Sequence, residues 1–333
     1  MSTGVDVEEV RARGRLKAAL LSGASIPRLR SLGILIPFTI LFVVLSVTSS
    51  SFATKPNLLN ILDQQSATLI IAAAGTLVLI AGGIDLSVGA IYGFAGVTSA
   101  HFALHTNPVV AILLGVGAGL LIGVANGLVI TVFRINALIA TLAMSFIVSG
   151  CSSLVTKGNL LVLFDKEGFG KLARTEIFTV KTSIWLMVVA VILIGLLLST
   201  TAAGRYMYAA GGNAEAARMA GVRVDGVRAL TFAISGTAAG LAGVIDTSRV
   251  LSAQASPNDT ALAFTVLAGI VVGGTSIMGG EGAVWRTVVG VLFIALVGNG
   301  YLLLRFDPLY EQITMGALLL AAVGLDALSR RRG

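Results

Sequence analysis

Long apolar runs, unbroken by alternation, dominate this sequence from Leu32 onwards and constrain its fold more than any other feature. A run of ~20 apolar residues is long enough to cross the hydrocarbon core of a bilayer as a helix. Strict apolar/polar alternation, the mark of a membrane-barrel strand, is not the pattern here, so the spans read as helices. Charged residues make up 12% and hydrophobic residues 56% of the chain. That is about half the charged share of a soluble domain, which excludes a water-soluble globule. The sequence predicts an all-α polytopic membrane protein with about ten transmembrane helices. Periodicity places them at 32–49, 58–80, 86–104, 109–131, 137–156, 184–199, 228–247, 261–278, 287–304 and 309–326. They are punctuated by Lys55-Pro56-Asn57, Asn107-Pro108, Arg134-Ile135-Asn136, Ser256-Pro257-Asn258-Asp259 and Asp307-Pro308. Ala81–Val88 reads as a tight turn or as an unwound stretch inside the membrane. Residues 1–30 read as a cytoplasmic arm, 31–327 as one transmembrane domain with a polar loop at 200–228, and 328–333 as a basic cytoplasmic tail. No stretch is left for a nucleotide-hydrolysing domain.

The net charge of +7 points to the bilayer rather than to nucleic acid, because lysine and arginine accumulate in cytoplasmic loops. With the N-terminus inside, 15 of the 23 basic side chains face the cytoplasm. This orientation places both termini and the 200–228 loop inside, and makes the 157–183 loop the main outer feature. Cys151 stands alone, so no intramolecular disulfide is possible. His101 and His105 share one helix face at a spacing of four, but without a third ligand they read as rim residues rather than as a metal site.

The most informative polar stretch is Gly204–Gly226. Within it Asn213–Gly221 has the make-up of a short capped helix: Asn213 as N-cap, Glu215 in the first turn, Arg218 near the end and Gly221 as the stop. A small, smooth, alanine-rich helix on a membrane-surface loop suits docking into a groove on a soluble partner. The alternative is a connector that only caps the next span.

Two glycine-rich segments echo one another. Leu79–Gly89, LIAGGIDLSVG, resembles Val271–Gly280, VVGGTSIMGG, and Ala125-Asn126-Gly127 resembles Gly298-Asn299-Gly300. Matching spans five apart run in opposite directions, so the echo predicts two inverted-repeat halves, a construction in which the solute path lies between the halves. Gly273–Gly282 lacks the lysine of a phosphate-binding loop and reads as a turn. Asp85 and Ser87 interrupt an apolar run. They read as caps of the following helix or as groups at a solute path or gate. Asn126, Asn136 and Asn299, with Asp63, Gln64, Gln65, Thr141 and Gln312, supply donors and acceptors for a neutral hydrophilic solute or for interhelical hydrogen bonds. Few acids are available as proton or ion sites, which argues against an ion-coupled secondary transporter or channel, and no catalytic constellation supports an intramembrane enzyme.

GGIDLSVGA (82–90), ANG (125–127), RINALIATLAMSFIVSG (134–150), GRYMYAAGGNAEAARMAGV (204–222), GLAGVI (240–245) and GGTSIMGGEGAVWRTVVGV (273–291) occur in that order. Together they resemble the membrane permease subunit of ribose/xylose/autoinducer-type ATP-binding-cassette sugar importers, over roughly residues 55–326. The resemblance implies a type II importer-like fold in a bacterial inner membrane and a second permease copy. It also implies cytoplasmic ATPase subunits that carry ATP-Mg, and a periplasmic sugar-binding protein. It implies no cofactor on this chain and no enzymatic activity. Asn213, Glu215, Ala216, Ala217, Arg218, Ala220 and Gly221 would form the ATPase-coupling helix. Asp85, Ser87, Asn126, Asn136 and Asn299 would lie on the translocation path or gate. The chain departs from the family's pattern before GGTS, where Ala263 and Thr265 stand in commonly acidic places.

Overall fold

Helices form where the apolar runs are long, and they stop where glycine, proline or asparagine intervenes. The computed structural model describes residues 33–255, 259–307, 309–310, 313–314, 316–318, 320–321 and 324. The expected arm and basic tail lie outside the described residues, as does Gln312, and the span expected at 309–326 is described only in part. The elements are α1 (Leu35–Thr48), α2 (Lys55–Gln64), α3 (Ser66–Ile80), α4 (Val88–His105), α5 (Pro108–Val132), α6 (Ala137–Thr156), β1 (Leu161–Val162) and α7 (Glu167–Arg174). There follow β2 (Glu176–Ile177), β3 (Val180–Lys181), α8 (Thr182–Thr200), α9 (Ala202–Gly212), α10 (Ala214–Met219), α11 (Val224–Val250), β4 (Ser252–Ala253), α12 (Asp259–Val272) and α13 (Val284–Leu303).

Among the described residues, α5, α6, α8, α11 and α13 are long and apolar enough to cross a membrane, and α2 with α3, bent by 51°, makes a sixth span if counted as one. The expectation of about ten is not reached on length and apolarity alone, for physical reasons. Helices α1 and α12 have 14 residues each, or about 21 Å at the α-helical rise. His101 and His105 dilute the apolarity of α4. Helix α12 ends at Val272, not at the expected 278, because Gly273-Gly274 turns the chain out of the helix.

That ending recurs. At the end of α3, Gly82 takes φ +80°, Gly83 N–H donates to Val78 O at 2.9 Å and Gly82 N–H to Leu79 O at 3.0 Å. At the end of α12, Gly274 takes φ +84°, Thr275 N–H donates to Ile270 O at 3.2 Å and Gly274 N–H to Val271 O at 2.8 Å. Both are left-handed glycine caps with the same pair of backward bonds. The first sequence echo is thus a local structural one.

Helix α11 is the central post, packed against α3, α4 and α5. Gly115, Gly119, Gly123 and Gly127 recur every four residues and so line one face of α5. A Cβ on Gly119 would fall 2.4 Å from the Gly236 carbonyl oxygen, and one on Gly123 would fall 2.5 Å from that of Phe232. Two backbones in contact are how helices associate where lipid removes the hydrophobic drive.

The 157–183 loop is a small folded cap. Strand β1 pairs antiparallel with β4, and β2 with β3. Ser248 Oγ donates to Phe169 O at 2.7 Å and accepts from Ala173 N–H at 3.2 Å, pinning α7 to α11. Asp63, 3% exposed at the end of α2, accepts from Lys181 Nζ at 2.6 Å and from the buried Ser183 hydroxyl, tying the cap to the α2–α3 bend. Lys181 keeps 43% of its side chain exposed, but the carboxylate it pairs with is buried, so removing either partner leaves a buried polar group unpaired. Asp63→Ala is expected to lower stability by ~1–3 kcal/mol, read as a fall in the thermal midpoint in detergent, and Lys181→Met is expected to lower it too, because the buried carboxylate then keeps only the Ser183 hydroxyl.

Candidate functional site

Asn213 leaves α9 in extended conformation (φ −155°, ψ 101°), and its side-chain oxygen accepts from the backbone N–H of Glu215 at 3.1 Å and of Ala216 at 3.0 Å. This is the N-cap expected from the sequence. Gly221 takes φ +85° and closes α10 with bonds Val222 N–H to Ala217 O and Gly221 N–H to Arg218 O, each 3.0 Å. Ala217 faces inward against Ala210 and Val224, while Glu215, Ala216, Arg218 and Ala220 are exposed and Met219 is 89% exposed. Arg218 Nη2 reaches Asp225 Oδ1 at 3.1 Å, an exposed pair worth ~0–1 kcal/mol. Helix α9, just before it, was not anticipated. Its sequence signal is Thr201, whose hydroxyl accepts from Gly204 N–H at 3.2 Å as an N-cap ahead of an alanine-rich turn.

The 200–228 loop and the two glycine breaks are joined to one another. Gly280 N–H donates to Ile80 O at 2.9 Å, Arg228 Nε donates to Ala81 O at 3.2 Å, and Tyr208 Oη donates to Gly282 O at 2.8 Å. The first two bonds satisfy carbonyls that the end of α3 would otherwise leave bare, and the guanidinium sits at the negative pole of the helix. Gly211, at the end of α9, touches Ile80 O and Gly280 N, while Gly279 touches Gly82. Three chain segments therefore meet one residue before Gly212-Asn213.

Beyond the first break lies a polar cluster. Asp85 Oδ1 accepts from the Ser87 backbone N–H at 3.0 Å and from its hydroxyl at 2.6 Å, and Oδ2 accepts from Ser235 Oγ of α11 at 2.8 Å. Asn126 Nδ2 of α5 donates to Ser87 Oγ at 2.7 Å, and Leu86 N–H donates to Thr141 Oγ1 of α6 at 3.1 Å. Ser87, Asn126, Thr141 and Ser235 are fully buried, and the side-chain oxygen of Asn126 has no hydrogen-bond partner among the described residues. The capping expected of Asp85 and Ser87 takes a different form. Ser87 is the residue before α4, but its hydroxyl donates to Asp85 instead of accepting from the helix. Asp85 thus fixes the break itself.

Of the five residues expected at a path or gate, Asp85, Ser87 and Asn126 come together. Asn136 does not; it is exposed and caps α6, accepting from Leu138 N–H at 2.9 Å. Asn299 pairs reciprocally with Asn57 at 3.1 and 3.2 Å. The second echo, Asn126 with Asn299, therefore has no matching contacts. Ser235 and Thr141 join the cluster, Ser235 on no stronger signal than a small hydroxyl inside an apolar run. Asp85 also borders a narrow gap between α3, α4 and α12, and the departing residue Ala263 lines the same gap.

A family model described as branched-chain amino acid transport system / permease component matches residues 57–323. The ribose import permease protein RbsC of Escherichia coli (strain K12) is 33% identical over 296 residues, covering 88% of this chain and 92% of that protein. RbsC of Bacillus subtilis (strain 168) is 36% identical over 300 residues, covering 90% and 93%. The L-arabinose transport system permease protein AraH of Escherichia coli (strain K12) is 36% identical over 303 residues, covering 90% and 91%. No solved structure matches the chain.

Proposed function

The chain belongs to the family of branched-chain amino acid transport system permease components, a transport subunit rather than an enzyme, and we propose that it is the pore of an ATP-driven pentose importer. In this reading it sits in a bacterial inner membrane with both termini in the cytoplasm. It pairs with a second permease copy and docks two cytoplasmic ATPase subunits that carry ATP-Mg. It receives its sugar from a periplasmic binding protein. The substrate class rests on relatives named for ribose and L-arabinose, both pentoses. A neutral polyol needs donors and acceptors with few fixed charges, which is the character of Asp85, Ser87, Asn126 and Ser235. We place that cluster at the path or gate.

The observation that carries the mechanism is the capped helix α10, with its outward face free. The helix before it, α9, abuts the break after α3 through Gly211 and Ile80. A partner that moves Asn213–Gly221 moves the carbonyls of Ile80 and Ala81, and with them the Asp85 turn. Glu215, Ala216, Arg218 and Ala220 form the docking face, Ala217 holds it to the body, and Asn213 and Gly221 fix its ends. Alternating access then amounts to the break rocking against α5 and α11. The shared glycine caps after α3 and α12 support two inverted halves. Counting α1, α4, α12 and 309–326 as spans, with α2–α3 as one, restores ten. The short α12 completes its crossing through the non-helical Gly273–Ala283, since irregular backbone is tolerated at membrane depth where protein buries it.

The test is co-purification from detergent with Asn213–Gly221 intact and with the segment replaced by a Gly/Ser linker of equal length. A specific ATPase is expected with the intact chain only, and uptake in the replaced form is expected to fall to background. If no ATPase accompanies the intact chain and vesicle uptake follows an ion gradient, the protein is an ion-coupled secondary transporter.

A further inference from the structure

Beside the docking helix lies a cleft of about 590 Å³, bounded by the end of α5, the start of α6, α10, the start of α11 and the Gly82-Gly83 break. Arg134, Arg218 and Arg228 line it against a single carboxylate, Asp225, which Arg218 already engages. Arg134 makes no hydrogen bond or ion pair among the described residues, and it is held at φ +55°, a left-handed conformation that side chains other than glycine and asparagine disfavour. The cleft therefore holds an uncompensated positive charge. Immediately outside it stand exposed apolar side chains: Val132 at 65%, Phe133 at 71% and Ile139 at 61% exposure. They continue the bare faces of α5 and α6. An anion with no apolar part would leave that shelf unused.

We propose that this cleft binds the phosphate headgroup of an anionic phospholipid of the inner leaflet, with its acyl chains against Val132, Phe133 and Ile139. Basic pockets between membrane helices on the cytoplasmic side are suited to such headgroups, and the planar guanidinium fork matches phosphate geometry. A bound headgroup would bridge Arg134, Arg218 of the docking helix and Arg228, whose Nε already bonds Ala81 O at 3.2 Å. The lipid would thus brace the docking helix against the break that carries Asp85. The proposal rests on the cytoplasmic placement of the 200–228 loop in the reading above.

The experiment is native mass spectrometry of the purified full chain after reconstitution in phosphatidylcholine vesicles containing phosphatidylglycerol or cardiolipin. The chain is expected to retain the anionic lipid in preference to phosphatidylcholine. Arg134→Gln is expected to weaken retention about fivefold, Arg134→Lys, which keeps the charge without the fork, to recover part of it, and millimolar inorganic phosphate to leave it unchanged. Equal retention of zwitterionic lipid, or no change in Arg134→Gln, overturns the proposal. Displacement by inorganic phosphate overturns it in favour of a soluble anion. The readout needs no ATPase, so failure of the importer reading and failure of this one are separate results.

Discussion

Gly211→Ala is expected to abolish ATP-driven uptake, whereas Gly212→Ala, one residue on, is expected to leave it close to wild type. A Cβ on Gly211 would stand 1.8 Å from the Ile80 carbonyl oxygen and 2.7 Å from Gly280 N, whereas a Cβ on Gly212 meets nothing within 4 Å. Inserting a methyl into a packed interior costs ~1–3 kcal/mol when side chains can give way. Here the neighbours are backbone atoms, so the end of α9 must part from α3, and the Gly280 N–H to Ile80 O bond is strained in the same movement. The expected signs are a lowered thermal midpoint and loss of transport even in the molecules that insert. Gly212 differs only in its surroundings, so the pair separates a contact effect from a helix-propensity effect, which would favour alanine at both positions. Wild-type uptake in Gly211→Ala would mean that α9 and the α3 break move independently, and the coupling route through Ile80 would be wrong.

What the sequence showed of this arrangement was its local chemistry. Asn213 and Gly221 bracket α10 because an N-cap and a left-handed stop are decided by a few adjacent residues. The ends of α6 at Ala137 and Thr156 likewise fall where the apolar run and the Asn136 cap place them. The contacts that make a site were not legible in the same way. Asn126 and Asn136 are both asparagines near the ends of apolar runs, and nothing in their neighbourhoods tells them apart. Only the packing of α5 against α11 turns Asn126 inward to Ser87 while Asn136 stays at the surface. Ser235 was invisible for the same reason, since its meaning lies in Asp85, 150 positions away. Strands β1 and β4, two residues each, are too short to show a period of two. In α9 five of the eleven residues, Gly204, Tyr206, Tyr208, Gly211 and Gly212, are of types that lower helix propensity, and its contact with α3 overrides that preference. The glycine echo was a sequence observation that proved to be a geometric one at Gly82 and Gly274, but not at Asn126 and Asn299.

Asp85→Ala is expected to cost several kcal/mol of stability and most of the uptake, and the comparison with Asp85→Asn assigns the cause. Removing the carboxylate orphans the buried hydroxyls of Ser87 and Ser235 and the Ser87 backbone N–H, each at ~1–3 kcal/mol. Asparagine keeps the volume and one acceptor oxygen, and Ser235 can turn its hydroxyl to accept from the new amide, so Asp85→Asn should insert nearly as well as wild type. Uptake per inserted molecule then isolates the charge: a fall in the asparagine variant places Asp85 at the path or gate, and no fall leaves it a brace for the break. Because Asn126 reaches Asp85 only through Ser87 Oγ, Asn126→Ala combined with Asp85→Ala should cost less than the sum of the two, by ~0.5–3 kcal/mol. Strict additivity would mean that the four side chains are not one network. Ala263 sharpens the point. An acid there would put a second carboxylate beside the gap that Asp85 borders, where no cation lines the walls among the described residues, and two like charges so placed repel each other. Ala263→Asp should therefore impair the wild type and be tolerated better in Asp85→Asn, which a comparison of uptake in the single and double variants decides.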